Sequence, residues 1–144
     1  MKADAKTRAE IMKTIREMWT AYSHRDIEEV LSFYAPDADM VVLGSGPDEK
    51  YVGAKEARKG LQRDFSQSES AKVKLSNIRI SAAGKIAWLV ADCLFKARVA
   101  QGEMSMAGRL TAVLEKRRGR WLIVQSHFSM PYLEQAVGQS FPQK

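Results

Sequence analysis

Apolar residues recur at helical spacing through the first part of the chain. Ile11, Ile15, Met18, Trp19 and Tyr22 predict one amphipathic helix over residues 5–23. After a turn at His24 and Arg25, Asp26 with Glu29 three residues on has the form of a capping box, and Ile27, Val30, Leu31 and Tyr34 mark a shorter helical stripe. Pro36 ends it. Residues 40–43 read as a short strand and residues 44–48, GSGPD, as a turn. Gly53 opens a third helix with Ala54, Ala57, Leu61 and Phe65 on its inner face.

From residue 72 onward the period changes to two, predicting four strands over residues 72–81, 85–99, 103–117 and 120–130. Their connections, AAG, AQG and RRG, are short and carry glycine, so successive strands pair antiparallel in a meander. In the first of these strands Val73 and Leu75 shift phase to Ile78 and Ile80, which predicts a bulge that helps the sheet curl. Helices ahead of an antiparallel sheet define an α+β domain, expected over residues 1–131, with a weakly patterned tail over residues 132–144.

A chain of 144 residues fits one domain, large enough to bury roughly two thirds of its unfolded surface. Cys93 is the only cysteine and lies in an apolar run, so it reads as a small core residue in a cytoplasmic protein. The longest apolar stretch, residues 86–95, is interrupted by Asp92 and is too short to span a bilayer, so no membrane role is expected. The net charge of +6 is scattered, apart from Lys116, Arg117, Arg118 and Arg120 at a hairpin tip and four basic residues between positions 55 and 63. Exposed aromatics do not interleave with these charges, and a nucleic-acid partner is not expected. Two distant histidines, one cysteine and the pair Asp37 and Asp39 do not form a metal site by spacing, and no cofactor is expected. Gly44 and Gly46 lack the third glycine of a dinucleotide fingerprint.

The order long helix, short helix, strand, helix and four-strand meander closing on W-x5-H-x-S resembles the nuclear transport factor 2-like superfamily, particularly its SnoaL-like branch. The likeness is carried by YSHRDIEEVLSFYAPDADM, by GKIAWLVAD and by residues 109–129, and it covers nearly the whole chain. The ending WLIVQSHFS is also similar to the association domain of calcium/calmodulin-dependent protein kinase II. The resemblance implies a curved antiparallel sheet wrapped around the N-terminal helices into a cone with an interior pocket, and a homodimer formed through the outer sheet face. Ketosteroid isomerase shares this shape. Its catalytic tyrosine, general-base aspartate and oxyanion-binding aspartic acid fall at Met18, Val42 and Ala112, so the resemblance does not carry its chemistry across. The basic pocket positions of the association domain fall at Val90, Ala112 and Phe128, which carry no charge.

What remains is an expected pocket lined by Trp88, Val90, Asp92, Leu110, Ala112, Val124, Ser126 and Phe128 from the strands, with Trp19, Tyr22 and Tyr34 from the helices. Such a mostly apolar lining suits a small apolar or aromatic molecule. Asp92, a carboxylate among Trp88, Val90 and Leu94, would be desolvated there and is the candidate catalytic acid or base; pairing with Arg109 is its structural alternative. Arg109, Thr111, Gln125, His127 and Ser129 share the other face and are expected at the dimer interface. His127 and Ser129 are separated by about 7 Å along a strand, too far for a direct nucleophile and base pair. Two functions stay open: a small-molecule-binding domain with isomerase, cyclase or hydratase-type chemistry, and a non-catalytic homo-oligomerisation module.

Overall fold

Asp4 starts the first helix by accepting a hydrogen bond from Thr7 N at 2.7 Å. In the computed structural model, which describes residues 1–142, this helix α1 spans Ala5–Ser23 and buries Ile11, Ile15, Met18, Ala21 and Tyr22. Asp26 caps α2, Ile27–Ser32, by accepting from Glu29 N, and only Val30 of that short helix is buried. A hairpin follows, β1 Val41–Leu43 and β2 Lys50–Val52, and then α3, Gly53–Ser66. The strand β2 was not expected from the sequence, because three residues with alternating exposure are too few to set a period. On α3 the inner residues are Ala57, Gly60 and Leu61, whereas Ala54 at the helix start is exposed.

Four long strands complete the fold: β3 Ser70–Ala83, β4 Ile86–Val99, β5 Gly102–Arg117 and β6 Arg120–Ser129. Together with the hairpin they form one six-stranded, curved and unclosed sheet in the order β2-β1-β6-β5-β4-β3. The meander is antiparallel, as its short turns require, but β1 joins β6 in parallel, pairing Val42 with Ser126. The expected bulge in β3 falls between Ser76 and Arg79, with Asn77 in the left-handed backbone region at φ 49°. Helix α1 packs on β3 and β6, so the core lies between the helices and the concave side of the sheet. Among the described residues of the tail no helix or strand forms, and Leu133, Val137 and Phe141 are exposed; positions 143 and 144 of the expected tail lie outside the described residues.

Two strand faces differ from expectation. In β4 the buried residues are Ala87, Leu89, Ala91 and Cys93, which puts Trp88, Val90 and Asp92 on the outer side. Both parities of this strand are apolar, and side-chain size was the wrong guide. On this strand the core takes the small Ala87, Ala91 and Cys93 together with Leu89, and the larger Trp88 and Val90 go outward. In β6, Val113 pairs with Gln125 and Leu114 with Ile123, leaving Val124 as an inserted residue. Its bulge reverses the phase, so Trp121 and Ile123 point inward together with Ser126. Trp121 Nε1 then donates to Glu10 Oε2 on α1 at 2.9 Å, which ties helix to sheet.

Candidate functional site

The concave side of the sheet, α1, α3 and the β1–β2 loop enclose a cavity of about 280 Å³. The strands supply a mainly apolar wall that includes Phe95, Met106, Leu110, Ala112 and Phe128. Opposite it stand Trp19 and Tyr22 from α1 and Asp64 from α3, with Glu49 and Tyr51 from the hairpin. Tyr22 is central. Its ring centroid lies 5.3 Å from that of Trp19, 5.1 Å from Phe65 and 5.8 Å from Phe95, and its hydroxyl donates to Asp64 Oδ2 at 2.8 Å.

Asp64 is a half-buried carboxyl beside the Tyr22 hydroxyl and near Glu49. Burial pushes its pKa up; the hydrogen bond from Tyr22 opposes that, and the negative charge of Glu49 adds to it. Burial also raises the Tyr22 phenol, and the neighbouring Asp64 charge acts in the same sense, so Tyr22 keeps its proton. Glu49 is held differently. Its Oε1 accepts from Arg63 Nη2 at 2.9 Å and its Oε2 from Gly46 N at 2.6 Å, while Arg63 Nη1 also reaches Asp48 at 2.7 Å. Gly44 makes that clasp possible, because a Cβ there would come within 2.5 Å of the Glu49 carboxylate. Arg25 braces the end of α3 from the other side, donating to the carbonyls of Phe65 and Ser68 and stacking 5.0 Å from the Phe65 ring. Asp64 thus sits between two anchored residues of α3, Arg63 and Phe65.

Of the residues expected to line a pocket, Trp19, Tyr22, Tyr34, Leu110, Ala112, Ser126 and Phe128 do line the cavity. The Tyr34 and Ser126 hydroxyls stand 3.5 Å apart, and burial raises the Tyr34 phenol. Trp88, Val90 and Asp92 do not line it, being on the outer face, and Val124 is taken up by the bulge. Asp92 is exposed. It faces Arg109 across the strands, yet its oxygen accepts from Asn77 Nδ2 at 2.6 Å, away from the cavity. Arg109, Thr111, Gln125 and His127 are exposed on the outer face and Ser129 is half-buried, with Arg109 opposite Ser129 and Thr111 opposite His127. Met18, Val42 and Ala112 all line the cavity, and none offers a proton-transfer group. Among the described residues no group of three His, Cys, Asp or Glu side chains converges as a metal site.

Asp64, Glu49 and Tyr51 were missed from sequence. Asp64 had a usable signal: it lies three residues after Leu61 and seven after Ala57, so helical spacing places a carboxylate on the apolar stripe of α3. Glu49 and Tyr51 had none, because their positions depend on the short hairpin that the sequence pattern does not show.

A curved sheet wrapped on helices around an internal cavity is the architecture of nuclear transport factor 2-like proteins. The SnoaL-like domain matches residues 11–133, and the chain belongs to that family. No curated protein sequence matches it. A nuclear transport factor 2-like superfamily protein from Salmonella enterica superposes with a TM-score of 0.84 at 19% identity, covering 96% of this chain and 100% of that one. A protein from Novosphingobium aromaticivorans, provisionally assigned as a scytalone dehydratase, superposes with a TM-score of 0.79 at 16% identity over 93% and 95% of the two chains. A nuclear transport factor 2-like protein from Streptomyces avermitilis, provisionally assigned as a dehydratase, gives 0.77 at 14% identity over 90% and 99%. At these identities the likeness is one of fold. Among the described residues no helix is long and apolar enough to cross a membrane.

Proposed function

We propose that the chain binds a small, mainly apolar or aromatic molecule inside the cone, and that Asp64, oriented by Tyr22, transfers a proton to or from it. The observation that carries this reading is the Tyr22 to Asp64 hydrogen bond inside the cavity, where burial holds the carboxyl proton more tightly than in water. An apolar cavity with a few convergent polar groups is the common build of a small-molecule site, and a carboxyl with a raised pKa is suited to general acid work. Adding or removing water, or moving a double bond, needs such a group. The two relatives provisionally assigned as dehydratases support that class of chemistry. The reading invokes no cofactor and no nucleic acid, and a cytoplasmic setting fits a single free, buried cysteine.

The test uses 4-hydroxyacetophenone as a neutral aromatic probe, with the Asp carboxyl carbons followed by NMR through a pH titration. Asp64 is expected to titrate above the usual Asp range and to shift when the probe is added. Asp64 titrating as an ordinary exposed carboxyl, unaffected by probe, would overturn the reading.

A second reading, self-association through the outer sheet face, is favoured by its apolar content: Ile86 and Val90 are 40% and 41% exposed there beside Trp88. The two readings are compatible, since the cavity opens on the opposite side of the sheet.

A further inference from the structure

Strand β3 is an edge of the sheet, and its two halves are finished differently. Beyond the bulge, residues 1–3 add to it as a short antiparallel strand, with Lys2 opposite Ser81 and Ala82 N donating to the Met1 carbonyl at 3.0 Å. Over residues 70–76 no strand joins that side among the described residues. The outward N–H and C=O groups of this half are open to pairing.

Its two faces differ in chemistry. Toward α1, the half-buried Val73, Leu75 and Ile78 form a groove with Met12 and Trp19, which the exposed Arg16 also lines. On the other face Lys72 and Lys74 are exposed, and Lys72 stands directly opposite the exposed Lys96 of β4. Like charges so placed repel. None of Arg16, Lys72, Lys74 and Lys96 has an ion-pair partner among the described residues. Glu17 is taken up by Lys13, Asp92 by Asn77 and Glu103 by Arg98, and Glu69 lies before the strand begins.

A second copy is a poor occupant. Two such edges paired with their apolar faces on one side would bring Lys72 and Lys74 against the same lysines of the other copy. An acidic strand reverses the sign. Because side chains alternate along a strand, its apolar residues would enter the groove while its carboxylates stand beside Lys72 and Lys74. We infer that residues 70–76 of β3 are a docking edge for an extended protein segment that alternates acidic and apolar residues, added antiparallel as residues 1–3 are. The site lies at the rim of the sheet, outside the cone, and does not depend on the cavity reading.

The probes are acetylated, amidated heptapeptides: alternating glutamate and valine, a block-ordered isomer of the same composition, an alternating lysine and valine counterpart, and the acidic alternating peptide N-methylated either at its valines or at its glutamates. Binding is followed at pH 7 through the backbone amide signals of ¹⁵N-labelled protein. The acidic alternating peptide is expected to bind at least about tenfold more tightly than the block isomer or the lysine peptide, and to weaken as salt is raised. Its shifts should centre on residues 70–76. One of the two N-methylated peptides should lose about tenfold and the other little, because only alternate amides of an added strand face β3. Lys72→Glu combined with Lys74→Glu should reverse the preference in favour of the lysine peptide, a gain of binding that unfolding cannot imitate. Equal binding of the block isomer, full retention by both N-methylated peptides, shifts centred on the basic tip at residues 116–120, or no binding at millimolar peptide would overturn the inference. So would concentration-dependent shifts of residues 70–76 without peptide, the sign of a second copy at the edge.

Discussion

Tyr22 on α1 and Asp64 on α3, separated by 42 positions in sequence, meet through a 2.8 Å hydrogen bond from phenol to carboxyl. The burial of that carboxyl has a signed consequence for stability, which the bond partly offsets. Asp64 has a higher pKa folded than unfolded because burial disfavours its charged form. Its contribution is therefore fully present below the unfolded value near 3.8 and is lost as pH rises through the folded value. Asp64→Asn should be more stable than the parent at pH 7, with the difference shrinking as the pH falls towards 4. Urea denaturation at the two pH values checks this, and a variant equally destabilised at both would contradict it.

Asp92 provides the contrast. It is exposed, on the convex side, and bonded to Asn77. Asp92→Asn should leave the affinity for 4-hydroxyacetophenone within about twofold and stability within about 0.5 kcal/mol, as is usual for surface substitutions. A loss of binding well beyond that range would restore it as a site residue.

Gly108 is a point of close approach rather than a turn. A Cβ there would lie 2.1 Å from the Ser129 carbonyl oxygen and 2.8 Å from the Phe128 ring. Gly108→Ala should cost about 1 to 3 kcal/mol by overpacking, and it should weaken probe binding by displacing Phe128 from the cavity wall. Thermal denaturation and calorimetry read the two effects separately.

Ile123 has no exposed surface and stands beside the Val124 bulge. Ile123→Ala should destabilise by about 2 to 5 kcal/mol, measured by chemical denaturation. A value near zero would mean that Ile123 faces outward, as an unbulged strand would place it.

The outer face leads to a prediction about assembly. If Trp88 and Val90 lie at a contact between two copies, the unmodified chain should sediment as a dimer. Val90→Glu should then sediment as a monomer with its far-ultraviolet circular dichroism unchanged. A wild-type monomer at micromolar concentration would remove the self-association reading.

Much of the fold was legible because it depends on local periodicity. The stripe from Ile11 to Tyr22, the cap at Asp26, the change to period two and the phase shift near Asn77 all report on neighbours close in sequence, and the structure follows them. The cavity was legible in part. Trp19, Tyr22, Ala112, Ser126 and Phe128 could be assigned because helix stripe or strand parity was unambiguous there. On β4 parity failed: Trp88 and Ala87 are both apolar, and a strand's pattern cannot say which face lies under a helix.

The sequence by itself determined the order of the helices and of every strand but β2, the α+β class and the family, since those rest on spacing along the chain. Only the tertiary structure decided which carboxylate faces the ligand. Asp64 meets Tyr22 because the fold brings the end of α3 to the end of α1, and Asp92 is turned outward because Ala91 and Cys93 on either side of it take the buried face of β4. Whether a charged group is desolvated depends on what packs over it from distant parts of the chain, and local pattern carries no record of that.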